Sequence, residues 1–384
     1  MKEVIHIKVN PEVLKWARET LAYNRAKAAK ESGISPKRLE QLEENKKQPS
    51  LDELKALAKI YKRTIATLLL EKPPKEKPLP KDRRTINSED LGKFHEKTIM
   101  AVRKARALVQ TFIELKKDAG QVIKPFQYKA TLNDIATEVA SSLRKELQLD
   151  EIRQLDNINH TLGAYIEKIE SLGVAVFQLS LTQDNLRGFS LVDEQMPVIA
   201  IRRGGENATA KIFTLFHELA HILLHEEGIC DIAFNVNAQQ IEKWCNSFAA
   251  EILIPSAVLV TLPIVKKQIS SGEKEWAKMD LVELAKFFHV GPLAILRRLL
   301  DHNLTTAAFY KAKHEVWNKP TFGRAKHPEG RNIAKETIKE KGRAYISLAF
   351  NAFDQNRIDL KDLSDFLGIK LSYIPKTRQL LNAS

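Results

Sequence analysis

Two imidazoles four residues apart, with a carboxylate between them, are the part of this sequence best equipped for chemistry. They are His217, Glu218 and His221 in the stretch FHELAH at 216–221. On a helix the two histidines stand one turn apart on the same face, where both can reach one zinc ion. Glu218 projects from an adjacent stripe, placed to hold a water as general base while the zinc lowers that water's pKa. This is the chemistry of peptide hydrolysis. Ile212, Leu215, Phe216, Leu219, Ala220, Leu223 and Leu224 form a strong apolar stripe with the histidines at its edge, as ligands lining a cleft would be.

A catalytic zinc needs a third protein ligand. The candidates nearby are Glu226, Glu227, Cys230, Glu242, Cys245 and Glu251, with His225. His225 shares the histidine face but stands about 12 Å along the axis from His217, too far to bind the same ion. In the next helix Ile241, Cys245, Phe248, Ala249, Ile252 and Leu253 define the apolar stripe. Glu242 falls inside that stripe and Glu251 at its margin. A carboxylate carried into a core is costly unless it is paired or metal-bound, which favours Glu242 as ligand over a simple buried ion pair. Asn246, one turn after Glu242, is placed to orient a ligand or merely to pack. The two cysteines read as small buried apolar residues.

These residues need elements to hold them. Two long helices are expected over 211–225 and 237–254, preceded by short strands over 174–181, 188–192 and 197–202 and by helical periodicity over 91–117 and 132–147. Beyond Pro255 the chain reads as mostly helical. The stretch 280–303 resembles a helix-turn-helix around His289, Val290 and Gly291, but its leucines read as core of the same domain. A basic loop over 311–331, with Lys311, Lys313, Lys319, Arg324, Lys326 and Arg331, precedes a small helical segment over 332–381 suited to binding a partner. Residues 354–363 lack the glycine and spaced acids of a calcium loop.

The first seventy residues read as five short helices, over 11–23, 24–32, 35–44, 51–62 and 64–70. Gly33 can adopt the left-handed turn, Ser35 can cap the next helix and Pro36 suits its first position, a helix-turn-helix signature. The helix 35–44 would enter a DNA major groove and offer Ser35, Lys37, Arg38 and Gln41 to bases and phosphates. Fifteen Lys and Arg against nine Asp and Glu in 1–70 favour phosphate contact. Glu40, Glu43 and Glu44 would oppose it, which leaves dimerisation or protein docking as the alternative use of the module.

At 384 residues the chain should hold two or three domains. The division expected is a helix-turn-helix domain at 1–70, a spacer at 71–82 rich in proline and lysine, a catalytic domain at 83–310, and a basic loop with a small helical domain at 311–384. A net charge of +13 is compatible with a polyanion partner. No apolar run approaches the twenty or so residues needed to cross a bilayer, no signal peptide is evident, and two cysteines suit a reducing compartment, so a soluble cytoplasmic protein is expected.

Several segments together resemble the ImmA/IrrE family of metallopeptidases, in the form that carries an amino-terminal XRE-type (Cro/C1-type) helix-turn-helix. They are PEVLKWAR at 11–18, PSL at 49–51, RGFS at 187–190, IFTLFHELAH at 212–221 and EKWCNSFAAE at 242–251. The resemblance implies an α+β architecture: an all-α helix-turn-helix domain, then a zincin-like peptidase domain with a small sheet and the HExxH helix, then a helical carboxy-terminal segment. It carries the metal ligands of a gluzincin-like site onto His217, His221 and Glu242, with Glu218 as the catalytic glutamate. Leu42 stands before Glu43 where the XRE pattern often has an aromatic residue. The family is associated with cleaving or inactivating phage-type or stress-type repressors, and single-chain forms with toxin–antitoxin or stress regulation. The function expected is therefore a zinc endopeptidase, active or latent, that is coupled to DNA binding and acts on a repressor or antitoxin-type protein. Its substrate would be held as an added strand along the sheet edge near 188–192. The alternative is a DNA-binding regulator or antitoxin whose metal site is structural, sensory or inactive. A homodimer is compatible with either.

Overall fold

Side-chain caps delimit the first helices of the chain. Asn10, Asn24, Ser35, Ser50 and Thr64 each accept a backbone N–H of the turn they open, starting α1 (Pro11–Glu19), α2 (Arg25–Ser32), α3 (Pro36–Glu43), α4 (Leu51–Tyr61) and α5 (Ile65–Leu68). Gly33 ends α2 at φ 72°, the left-handed conformation that glycine reaches without strain. A computed structural model describes residues 6–82, 94–154, 157–181, 186–226, 228–230, 240–317 and 332–383. The chain divides into two compact units, one of Met1–Leu79 with Glu89–Met100 and one of Pro80–Ser88 with Ala101–Ser384.

The first unit closes around Leu14, Ala17, Leu39, Leu54, Leu57 and Tyr61, all fully buried. Glu43 does not project toward a DNA backbone as the sequence suggested. Its side chain is fully buried and accepts hydrogen bonds from Arg18 Nε (2.6 Å) and Nη2 (3.0 Å) and from Arg25 Nε (3.0 Å). Arg18 also donates to the carbonyl of Tyr23. The pair therefore ties α3 to α1 from inside the core.

The second unit contains a five-stranded sheet in the order β1-β5-β3-β4-β2. Its strands are β1 (Lys81–Asp82), β2 (Ala175–Leu179), β3 (Gly188–Leu191), β4 (Val198–Arg202) and β5 (Gly228–Cys230). β2 runs parallel to β4 with Ala175 opposite Val198, and β3 runs antiparallel to β4 with Phe189 opposite Ala200. On its other side β3 pairs with β5, Gly188 opposite Cys230. The strand at 188–191 is thus interior, and the open edge expected there is taken by β5. Lys81 and Asp82, read from sequence as spacer, pair in parallel with β5, Lys81 opposite Gly228.

Before the sheet come α6 (Glu96–Asp118), α7 (Ala136–Glu146) and α8 (Ile158–Ser171). The sequence reading missed α8, although Leu162, Tyr165 and Ile169 form its buried stripe. Gly163 and the flanking asparagines, weak helix formers, obscure it. α9 (Ala208–Leu223) packs against β3, β4 and α8, and α10 (Gln240–Leu253) packs against α9 and α7. Every residue from Ile212 to Leu223 is buried, so α9 is a core helix enclosed on all sides.

Short helices α11 (Ser256–Leu259), α12 (Pro263–Ser271), α13 (Lys278–Phe287), α14 (Pro292–Asp301) and α15 (Ala307–Trp317) continue the unit. The α13–α14 leucines Leu281, Leu284, Leu296 and Leu299 belong to the same core as α9. α15 places Lys311 and Lys313 on a helix rather than a loop, and the remaining basic positions of 318–331 lie outside the described residues. The last helices, α16 (Ile333–Lys341), α17 (Arg343–Asp354), α18 (Leu360–Leu367) and α19 (Ile374–Asn382), join this unit too. α16 packs on the edge strand β2, and Tyr345 meets Phe112 (5.6 Å) and Phe177 (6.4 Å) ring to ring. Covering an edge strand with a helix keeps its backbone groups from pairing with another chain. No helix among the described residues is long and apolar enough to cross a membrane.

Two predictions follow from this packing. Removing one partner of a buried ion pair leaves a buried charge, so Glu43→Ala should cost about 3–5 kcal/mol in urea titration of the intact chain, and Arg18→Met with Glu43→Leu should recover most of it. At the β2 edge, Glu170 accepts the N–H of Val176 and lies against Gly342, and burial, with Glu167 nearby, pushes its carboxyl up from 4.5 to about 8. Its proton is kept by the fold and lost by the unfolded chain between those values, so its contribution is whole below pH 4.5 and disappears toward pH 8. Glu170→Gln should therefore melt above wild type at pH 8, with the gap closing as the pH falls to 5. A constant gap would remove Glu170 from the account.

Candidate metal centre

α9 and α10 cross so that three donor side chains converge. His217 Nε2 lies 3.2 Å from Glu242 Oε2, His221 Nε2 lies 3.4 Å from Glu242 Oε1, and the two Nε2 atoms are 3.2 Å apart. Both histidines are fully buried and Glu242 is nearly so. One ligand atom from each residue lies within 4.8 Å of every other, the one such cluster of three among the described residues. Zinc bound to nitrogen and carboxylate oxygen at about 2.0–2.1 Å in a tetrahedron spaces its ligands by about 3.3–3.4 Å. The two imidazole nitrogens stand at about that spacing, and each faces a different Glu242 oxygen at a similar distance, so the three side chains are placed to hold one ion between them.

Asn246 completes the geometry. His217 Nδ1 donates to Asn246 Oδ1 at 3.1 Å, which leaves the lone pair of Nε2 facing the cluster. Phe213, one turn before His217, stacks on its ring at 6.4 Å. A cavity of about 130 Å³ opens against Phe213 and Asn246, with Lys243 and Arg297 on its wall.

The charges respond to each other. Burial opposes ionisation of Glu242, but hydrogen bonds and attraction from His217 and His221 hold its carboxyl far below the usual range. Burial lowers His217, and Glu242 more than reverses it. Glu218 is buried completely, and this burial, with Glu242 adding to it, pushes its carboxyl up to about 8 against the pull of His217 and Ser190. Neither Glu218 oxygen makes a hydrogen bond of ordinary geometry.

The other ligand candidates are placed differently. Cys245 is buried in the apolar core, Glu251 is paired with Arg298 and Ser256, and His225 is exposed just beyond α9. Glu226 is absent from the cluster, and the side chains of Glu227 and Cys230 lie outside the described residues.

In the first unit, Ser35 Oγ accepts the Arg38 N–H and caps α3 at its exposed start. Lys37 is exposed and Gln41 half-buried. Arg38 is engaged internally: its guanidinium meets both Glu53 oxygens (2.7 and 2.8 Å) and the Gln48 carbonyl (3.0 Å). Glu53 in turn closes the capping box of α4, so Arg38 joins α3 to α4. Sequence reasoning assigned it to DNA because a capping glutamate fifteen residues away gives no local signal.

Residues 169–300 match the peptidase family model described as the IrrE N-terminal-like domain. The helix-turn-helix family model matches 14–68. The chain thus combines a DNA-binding type of module with a metallopeptidase-like domain, whose matched segment contains β2 to β5, α9 and α10. No curated protein and no solved structure matches the chain. Within the peptidase-like domain sequence reasoning placed Gly188 and Ser190 only on a strand edge expected to hold substrate, and gave Phe213 no role. The RGFS segment was the available signal for the first two.

Elemental analysis and zinc calorimetry test the centre. Glu242→Ala should leave no stoichiometric zinc, and Asn246→Ala should bind one zinc about 10–100-fold more weakly. Cys245→Ala should bind as wild type does. Full zinc in Glu242→Ala would remove it from the ligand set.

Proposed function

We propose that the chain is a zinc-dependent endopeptidase, gluzincin-like in its donor set and coupled to a DNA-binding helix-turn-helix. The observation that supports this most is the convergence of His217, His221 and Glu242 on one buried point, with the Glu218 carboxylate on the same helix as the two histidines. Zinc held there would polarise the scissile carbonyl and make water a nucleophile at neutral pH. The positive charge of such an ion would oppose the burial that raises the Glu218 carboxyl, and the ionised Glu218 would take the proton from the attacking water and pass it to the leaving amine. Asn246 keeps His217 in the tautomer that can bind metal, and the enclosed core around α9 shields the two histidines from bulk water.

The helix-turn-helix module would bring this activity to DNA in the cytoplasm, through Ser35, Lys37 and Gln41 at the exposed side of α3, with Arg38 holding that helix in place. A substrate fitting this pairing is a regulatory protein of repressor or antitoxin type, in a phage, stress or toxin–antitoxin response. A homodimer would suit a two-fold operator.

The test is a comparison of new protein amino termini in cells that express wild type, Glu218→Gln or His217→Ala. Glu218→Gln should retain zinc and lose cleavage by at least about 10²-fold, since only the base is removed. Termini present in wild type and absent from both variants are expected. The same termini in all three would leave a DNA-binding regulator with a silent peptidase-like domain.

A further inference from the structure

β3 approaches α9 more closely than a side chain would permit. A Cβ added at Gly188 would stand 2.6 Å from Thr214 Cγ2, 3.1 Å from the Ala200 carbonyl oxygen and 3.1 Å from Glu218 Oε1. The φ of Gly188 is not positive, so glycine is required here by space and not by backbone conformation. Thr214 cannot turn away at no cost, because its hydroxyl donates to the Ala210 carbonyl at 3.0 Å and the residue is fully buried. Thr214 and Glu218 lie one helical turn apart, and so share the face that meets β3.

Gly188 and Ser190 likewise share one face of β3, because side chains alternate along a strand. Ser190 is fully buried, its hydroxyl makes no hydrogen bond of ordinary geometry, and it stands beside the Glu218 carboxylate. A hydroxyl and a carboxylate both taken from water, with neither satisfied elsewhere, are placed to act on each other.

We infer that Gly188 and Ser190 form a slot in β3 that positions the Glu218 carboxylate beside the metal ligands, Gly188 by the space it leaves and Ser190 by the hydroxyl it presents. The inference rests on the general-base reading of Glu218. Gly188 and Ser190 are positioning residues, since they act through Glu218.

The test uses the zinc-loaded intact chain and acetohydroxamate as probe, because a hydroxamic acid gives up a proton on chelating a metal and a carboxylate beside the metal can accept it. Calorimetry gives the affinity, elemental analysis the zinc content and thermal melting the fold. Glu218→Gln, as reference, should weaken the probe by at least about tenfold with zinc retained. Ser190→Ala should weaken it comparably, with one zinc and little change in melting. Gly188→Ala should lower the melting temperature through the Thr214 clash. Adding Thr214→Ser removes that methyl, and the double variant should regain most of its stability while still binding the probe weakly, because the push on Glu218 remains. Thr214→Ser alone should bind the probe as wild type does. Wild-type affinity in both Ser190→Ala and Gly188→Ala/Thr214→Ser, with Glu218→Gln impaired, would overturn the slot alone. Wild-type affinity in Glu218→Gln would overturn the base reading and the slot with it.

Discussion

Two imidazoles and a carboxylate brought within hydrogen-bond distance of each other, in a region closed to water, are the constraint on which the second unit depends. Burying such groups is unfavourable unless their charges and lone pairs are satisfied. Here the Nε2 atoms point at each other and at Glu242, an arrangement that a dication resolves better than a proton does, because one ion can take all three lone pairs. The surrounding fold holds the three in place. α9 is buried along its whole length from Ile212, α10 supplies Glu242 and Asn246 on successive turns, and β3 gives up a side chain at Gly188 so that α9 can sit close.

The first unit spends its charges in a similar way. Arg18 and Arg25 converge on Glu43 inside the helical core, and Arg38 is fastened to the Glu53 that caps α4. The excess of basic residues counted along 1–70 therefore overstates what the surface offers to phosphates, and the acidic count overstates what opposes them. Exposed Lys37, Lys46 and Lys47 carry what remains around α3, with Lys46 paired to Glu44.

Local chemistry was legible in the sequence. The spacing of His217 and His221 needs only a helix, and Glu242 could be found because a carboxylate in an apolar stripe asks for a partner. Gly33 and Ser35 marked the turn by caps that act within four residues. What the sequence concealed is non-local. That β3 is interior depends on β5, a strand only three residues long and so too short to show a period in the sequence. The roles of Glu43 and Arg38 depend on partners 25 and 15 residues away. Gly188 is an ordinary glycine until α9 is laid against it, and the packing of α16 on β2 joins segments about 160 residues apart in sequence.

The central claim is that α9 and α10 hold one zinc through two imidazole nitrogens and a carboxylate. Zinc-edge X-ray absorption on the wild-type chain loaded with equimolar zinc tests it most directly. The account predicts nitrogen and oxygen neighbours at about 2.0–2.2 Å, with histidine ring scattering and no sulfur. Sulfur at about 2.3 Å, or a chain that takes up no zinc, would contradict it.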